Sequence, residues 1–210
     1  MDRKGILLVV SGFSGAGKGT LMKELVSRYD NYALSISATT RSPREGEVDG
    51  REYFFRTKEE FEQMIADEAL IEHACYVGNY YGTPRAYVEE QLALGRDVIL
   101  EIEIQGALQI NKRFPDTLLL FVSTPDAETL KNRLIGRGTE SLDVVEKRLS
   151  RASEEAEGIE NYDYLVINDD LDICVEEVHQ MIRNEHLTIA RNEKAITQMR
   201  EELKGFLKGE

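Results

Sequence analysis

The chain has 210 residues and a formal net charge of −13. It is long enough for one large domain or a core with inserted lobes, and too acidic to bind nucleic acid by bulk electrostatics. An anionic ligand must therefore meet local clusters of Lys and Arg. The two cysteines, Cys75 and Cys174, form no C-x-x-C, which fits a reducing, cytoplasmic setting and argues against a disulfide framework or a zinc site. No apolar run reaches the length of a membrane span, so no membrane partner is expected.

In chain order, "GILLVVSG" is a short β-branched run ending in glycine, as expected of a buried parallel strand. "SGFSGAGKGT" follows, and "GKGTLMKELVSRY" carries Leu21, Leu25 and Tyr29 at helical spacing. "DVILEIEI" and "TLLLFVST" are apolar strand-like runs with the helical "QGALQINKRF" between them. "AETLKNRLIGRG" predicts a helix, "YDYLVIN" a strand and "LDICVEEVHQMIRNE" a helix. Alternating strands and helices predict an α/β fold with a parallel sheet core flanked by helices. Two segments break the rhythm. Residues 33–91 hold "YALSISATT" and an Asp-Gly turn before the aromatic strand "EYFF", which predicts a small, partly antiparallel inserted lobe. A charged insertion follows within 126–158. The core is then assembled from 1–32, 92–125 and 159–184. In the extension 185–210, Ile189, Asn192, Ile196, Met199, Leu203 and Phe206 follow 3-4 spacing, the pattern of a helix seated on its own core or on a second subunit.

Gly12, Gly17 and Lys18 match the P-loop pattern G-x-x-x-x-G-K, and the match lies between a predicted strand and a predicted helix. Backbone N–H groups and the helix N-terminus would cradle phosphates there. The usual hydroxyl after the lysine is replaced by Gly19, with Thr20 one place later. A kinase whose acceptor is itself a phosphate tolerates this. Its nucleophile is already an oxyanion, and its difficulty is bringing two anions together. Arg41 and Arg44 flank Pro43, with Tyr53 beyond; two guanidinium forks and a phenol suit a phosphate monoester, whereas a solvated loop would pair them with Glu45 and Glu47. Glu72, Tyr81 and Thr83 lie close in sequence, and alternation puts Glu101 and Glu103 on one face at the end of their strand, where α/β sheets bind ligands; the plainer role for Glu101 is an edge carboxylate paired with a base. Arg133 and Arg137 share a helical face, with Arg148 and Arg151 further on. They suit either a lid over a triphosphate or an ordinary charged surface.

Together "SGFSGAGKGT", "SISATTRSPREGEVDGREYFF", "GNYYGTP", "EIEIQGA", "RLIGRGTE" and "YLVINDDLD" resemble the guanylate kinases, in the same order and over about residues 5–184. The resemblance implies a P-loop kinase with a GMP-binding lobe at 33–91 and a short lid at 126–158, moving the γ-phosphoryl of ATP to GMP and to dGMP with Mg²⁺. It implies a GMP site of Ser37, Arg41, Arg44, Tyr53, Glu72, Tyr81, Thr83 and Glu103. Arg41, Arg44, Tyr53 and Tyr81 would bind the phosphate, Ser37 and Thr83 lie by guanine O6, and Glu72 and Glu103 face N1–H and the amino group. The ATP phosphates would lie on Gly12, Ser14, Gly15, Ala16, Gly17, Lys18, Gly19 and Thr20, with Arg133, Arg137 and Arg148 closing over them and Asn168 near adenine. Lys18, Arg41, Arg137 and Arg148 would be catalytic. Mg²⁺ would be held mainly by phosphates and water, with Glu101 as the one candidate side chain. Many members carry Asp where this chain has Glu101 and Glu103. The longer arm of Glu103 sets its partner further back or routes the contact through water. The alternatives are an inactive guanylate-kinase-like module that binds proteins, or a related kinase with a phosphorylated sugar acceptor. A homodimer through the C-terminal extension is a further expectation.

Overall fold

The computed structural model describes residues 4–76, 78–136 and 142–207; Arg137 lies outside them. Five parallel strands form the core sheet: β1 (Leu7–Gly12), β2 (Tyr32–Leu34), β7 (Asp97–Glu101), β8 (Leu118–Ser123) and β9 (Tyr164–Ile167), in the order β2-β7-β1-β8-β9. The central runs are apolar on both faces because both faces are covered. Leu8, Val10, Leu120 and Val122 pack with Leu21, Met22 and Leu25 of α1 (Lys18–Arg28) and Val175, Val178 and Ile182 of α7 (Leu171–Glu185). Leu7, Val9, Val98, Leu100 and Leu119 pack on the other face with Val88 of α3 (Arg85–Ala93) and Ala107 and Ile110 of α4 (Ile104–Arg113). Each such fully buried aliphatic side chain stabilises the fold by roughly 1.5–3 kcal/mol.

A second sheet has the order β4-β3-β6-β5, from β3 (Ala38–Thr39), β4 (Phe54–Phe55), β5 (Leu70–Tyr76) and β6 (Asn79–Pro84). β6 runs antiparallel to β3 and β5, but β4 pairs with β3 in parallel. The Asp-Gly turn closes on itself, Gly50 N–H to Tyr53 O at 2.8 Å, and does not join two paired strands. Helix α2 (Lys58–Ala66) starts on a capping box between Thr57 and Glu60, and its Phe61 fills the lobe's small core. β5 docks on the main body: Ile71 joins the core cluster, and Arg113 of α4 donates to Ile71 O at 3.2 Å.

The remaining helices are α5 (Ala127–Ile135), α6 (Leu142–Ala156) and α8 (Glu193–Leu207). α5 and α6 share a cluster of Leu130, Leu134, Val145 and Ala152. The C-terminal seam is shorter than its spacing suggests. Ile189 and Asn192 precede α8, and the Asn192 amide donates to His186 O and Thr188 O, each at 2.8 Å. Met199, Leu203 and Phe206 are 56%, 55% and 81% exposed. Among the described residues, no helix is long and apolar enough to cross a membrane.

Candidate active site

The glycine loop leaves the C-terminal end of β1 and turns into α1. Gly12 has to be glycine because a Cβ there would stand 2.1 Å from Val122 O. Gly17 has φ 89° and is the N-cap of α1, without a side-chain cap. α5 and α7 are capped by Asp126 and Asp170, whereas the α1 N-cap is a glycine with no side chain to cap the helix. The Lys18 ammonium lies across the loop, donating to Gly12 O at 2.7 Å and Phe13 O at 3.2 Å. Asn168, buried at the end of β9, donates its amide to Ala16 O at 2.7 Å. Arg133 of α5 donates to Asn168 O at 2.8 Å, and Arg148 of α6 to the Ser14 hydroxyl at 2.7 Å. Lys18, Ser14, Asn168, Arg133 and Arg148 therefore meet around one loop. Asn168 supports the loop backbone, a contact distinct from the adenine role implied by the resemblance. Thr20 is exposed in the first turn of α1.

Glu101 ends β7 with its carboxylate oxygens 3.6 and 3.8 Å from the point where a Cβ on residue 19 would stand. Solvent reaches it, yet surrounding protein raises its pKa; Lys18 and Lys23 oppose the rise. Glu103 does not share its strand face. β7 stops at Glu101, and Glu103 is the backbone N-cap of α4. The alternation of "EIEI" is broken by the start of that helix. The Glu103 carboxylate turns outward to Arg151 of α6 at 3.3 Å, and Arg151 also pairs with Glu155 at 2.8 Å.

Glu72 on β5 is a buried acid, 3% exposed. One oxygen accepts the Thr83 hydroxyl at 2.7 Å. Burial pushes its pKa up to about 7, against the hydrogen bonds from Thr83. Arg41, Tyr53 and Tyr81 gather on the same sheet: Arg41 lies 5.3 Å above the Tyr53 ring, and the Tyr53 and Tyr81 rings are 6.0 Å apart, edge to face. Arg41 is bidentate to Glu47 at 2.9 Å, and Glu47 also accepts the Arg44 N–H at 2.7 Å. The Arg41 fork keeps Glu47 well below the usual carboxylate range. The Arg44 side chain is exposed. Burial raises the Tyr53 phenol pKa, and Tyr81 and Glu101 add to the rise. Glu101, beside Gly19 of the loop, thus links the arginine–tyrosine cluster electrostatically to the P-loop. Ser37 gives its carbonyl to Phe54 N–H at 2.9 Å, which fixes β4 beside β3.

One residue escapes a motif-based reading. Gly106 is a glycine inside the first turn of an otherwise good helix, and that local cost is the signal that could have found it.

A family model described as guanylate kinase matches residues 4–185. A guanylate kinase of Bacillus cereus is 51% identical over 203 residues, covering 96% of this chain and 99% of that protein. One from Oceanobacillus iheyensis is 52% identical over 187 residues, covering 89% and 91%. Among solved structures, the crystal structure of guanylate kinase from Anaplasma phagocytophilum superposes with a TM-score of 0.75 at 30% identity, over 90% of each chain. The six sequence blocks, the P-loop on a parallel sheet and these matches agree, and the chain belongs to the guanylate kinase family.

Proposed function

We propose that the chain transfers the γ-phosphoryl group of ATP to GMP, and to dGMP, giving ADP and GDP in the purine nucleotide metabolism of the cytoplasm. The observation that carries this reading is the buried Glu72 carboxylate, held by Thr83 beside the Arg41–Tyr53–Tyr81 cluster. Guanine presents donors at N1 and N2 that a carboxylate can accept together. Ser37 supplies a hydroxyl for O6, since Thr83 gives its one proton to Glu72, and Glu103 would have to leave Arg151 to reach the base directly or through water. The phosphate of GMP takes Arg41, Arg44, Tyr53 and Tyr81.

The P-loop backbone from Gly12 to Thr20 holds the ATP phosphates with Lys18, and Asn168 borders the adenine. Arg133, Arg148 and the undescribed Arg137 close from the lid. As charge shifts from the transferring group to the leaving oxygen, these cations stabilise it. The acceptor is already an oxyanion, so no base is needed, and Gly19 suffices after the lysine. Among the described residues no cluster of three or more His, Cys, Asp or Glu could hold a metal ion. A single acid beside the loop, Glu101, fits an Mg²⁺ held mainly by phosphates and water. When bound, that ion neutralises the β- and γ-phosphates. The cytoplasmic placement is supported by free cysteines, Cys75 exposed and Cys174 buried.

The test is coupled ADP release with GMP, dGMP, AMP and a sugar phosphate as acceptors. GMP should exceed AMP in kcat/KM by roughly 10⁴-fold, the scale at which a site built for a hydrogen-bonding group rejects an analogue lacking it. Equal use of AMP overturns the reading.

A further inference from the structure

We propose that Gly106 is a specificity-determining positioning residue: its missing side chain is the space that seats the Glu72 carboxylate for guanine, an inference that rests on the GMP reading above. Nothing in the backbone at 106 asks for glycine. The residue lies in the first turn of α4 with φ outside the left-handed region. Alanine is the better helix former there, so the glycine works against local stability.

What it supplies is room. A Cβ at 106 would stand 2.8 Å from Glu72 Oε2 and 3.5 Å from Glu72 Cδ, with Ile102 Cδ1 at 3.2 Å. The Ile102 methyl can give by a few tenths of an ångström. The carboxylate cannot yield without losing its place, because Oε1 is tied to the Thr83 hydroxyl at 2.7 Å and the side chain is buried. Glu72 is thus clamped between Thr83 on β6 and the open first turn of α4. Both oxygens are needed to accept N1–H and the amino group in one plane. Displacing one of them by even half an ångström to an ångström spoils the pair. Alanine at 106 therefore acts on the base-reading acid while the fold around it, anchored by Arg113 to Ile71 O at 3.2 Å, stays in place.

The experiment is a double-mutant cycle of Gly106→Ala with Glu72→Asp, read by steady-state kinetics for GMP and ATP and by thermal unfolding. With Glu72 present, Gly106→Ala should raise KM for GMP roughly 10- to 100-fold, the scale of one hydrogen bond to a charged group. KM for ATP and the melting temperature should change little. In the Glu72→Asp background the carboxylate is withdrawn by one methylene, so Gly106→Ala should cost less than about threefold. An unchanged KM for GMP, or an equal cost in both backgrounds, overturns the proposal. A parallel rise in KM for ATP, or a fall in melting temperature that accounts for the loss, also overturns it. Failure of the GMP reading itself is separate and shows in the wild-type protein as equal use of AMP.

Discussion

Replacing Glu72 by Gln keeps the side chain's shape and removes its titration. Burial raises this carboxyl from an ordinary 4.5 to about 7. A group whose folded pKa lies above its unfolded value binds its proton more tightly in the folded state. Its contribution is fully present below about pH 4.5 and is lost as pH rises through about 7. A rise of this size corresponds to about 3 kcal/mol between the two limits, and water entering the cleft reduces it. Wild type should therefore lose roughly 1–3 kcal/mol relative to Glu72→Gln between pH 5 and 8.5, measured by urea unfolding at each pH. GMP acts in the opposite sense, because its two donors favour the carboxylate. Saturating GMP should flatten the pH dependence of wild type. GMP binding by wild type should tighten as pH rises through 7 beyond any change seen in Glu72→Gln, which controls for titration of the nucleotide's own phosphate. A stability difference that stays constant across pH 5–8.5 would refute the reasoning, since Glu72 would then hold one protonation state throughout.

Lys18→Met should fold normally and lose two or more decades of kcat, as expected for removing a central electrostatic stabiliser; near-normal turnover in the folded variant would remove Lys18 from the charge argument. Deleting residues 188–210 removes the exposed stripe Met199, Leu203 and Phe206 and should convert a homodimer to a monomer by solution mass, and an unchanged mass would remove the homodimer reading.

The parts of this fold that were legible share one property: neighbours in sequence decide them. The run from Leu7 to Gly12 is apolar on both sides and ends in a glycine loop, and it forms the central strand. The parts that were not legible depend on distant partners. The "EIEI" run alternates like a strand, yet α4 begins at Ile104 on an N-cap, Glu103, whose side chain makes no capping bond to mark it. The seam from Ile189 breaks because the Asn192 amide finds two carbonyls of the preceding turn. The arginine loop offered two readings, solvated ion pairs or a phosphate site. Arg41 is bidentate to Glu47 and also stands over Tyr53, so both features are present at one residue. At Gly106 the sequence shows only a glycine that costs helix stability, and the reason lies with its partner, Glu72, which is 34 positions away and faces it only once β5 docks on α4.

The cleft uses two different means of recognition, and the difference follows from what each part of the substrates carries. Its cations are held by partners that a phosphate can replace. Lys18 rests on the Gly12 and Phe13 carbonyls, Arg148 on the Ser14 hydroxyl and Arg41 on Glu47. Each partner fixes a flexible side chain before the ligand arrives, so less rotamer entropy is lost on binding, and a doubly charged phosphate is the stronger acceptor. Glu72 is treated differently. A cation beside it would hold it ionised but would occupy the oxygens that guanine needs. It is given a hydroxyl donor and a glycine instead, and burial leaves its pKa near neutrality. Phosphate affinity is thus built on charge exchange and falls with salt. Base choice is built on the position of two oxygens and is nearly indifferent to salt. Raising ionic strength should therefore weaken GMP and AMP alike while leaving their ratio almost unchanged.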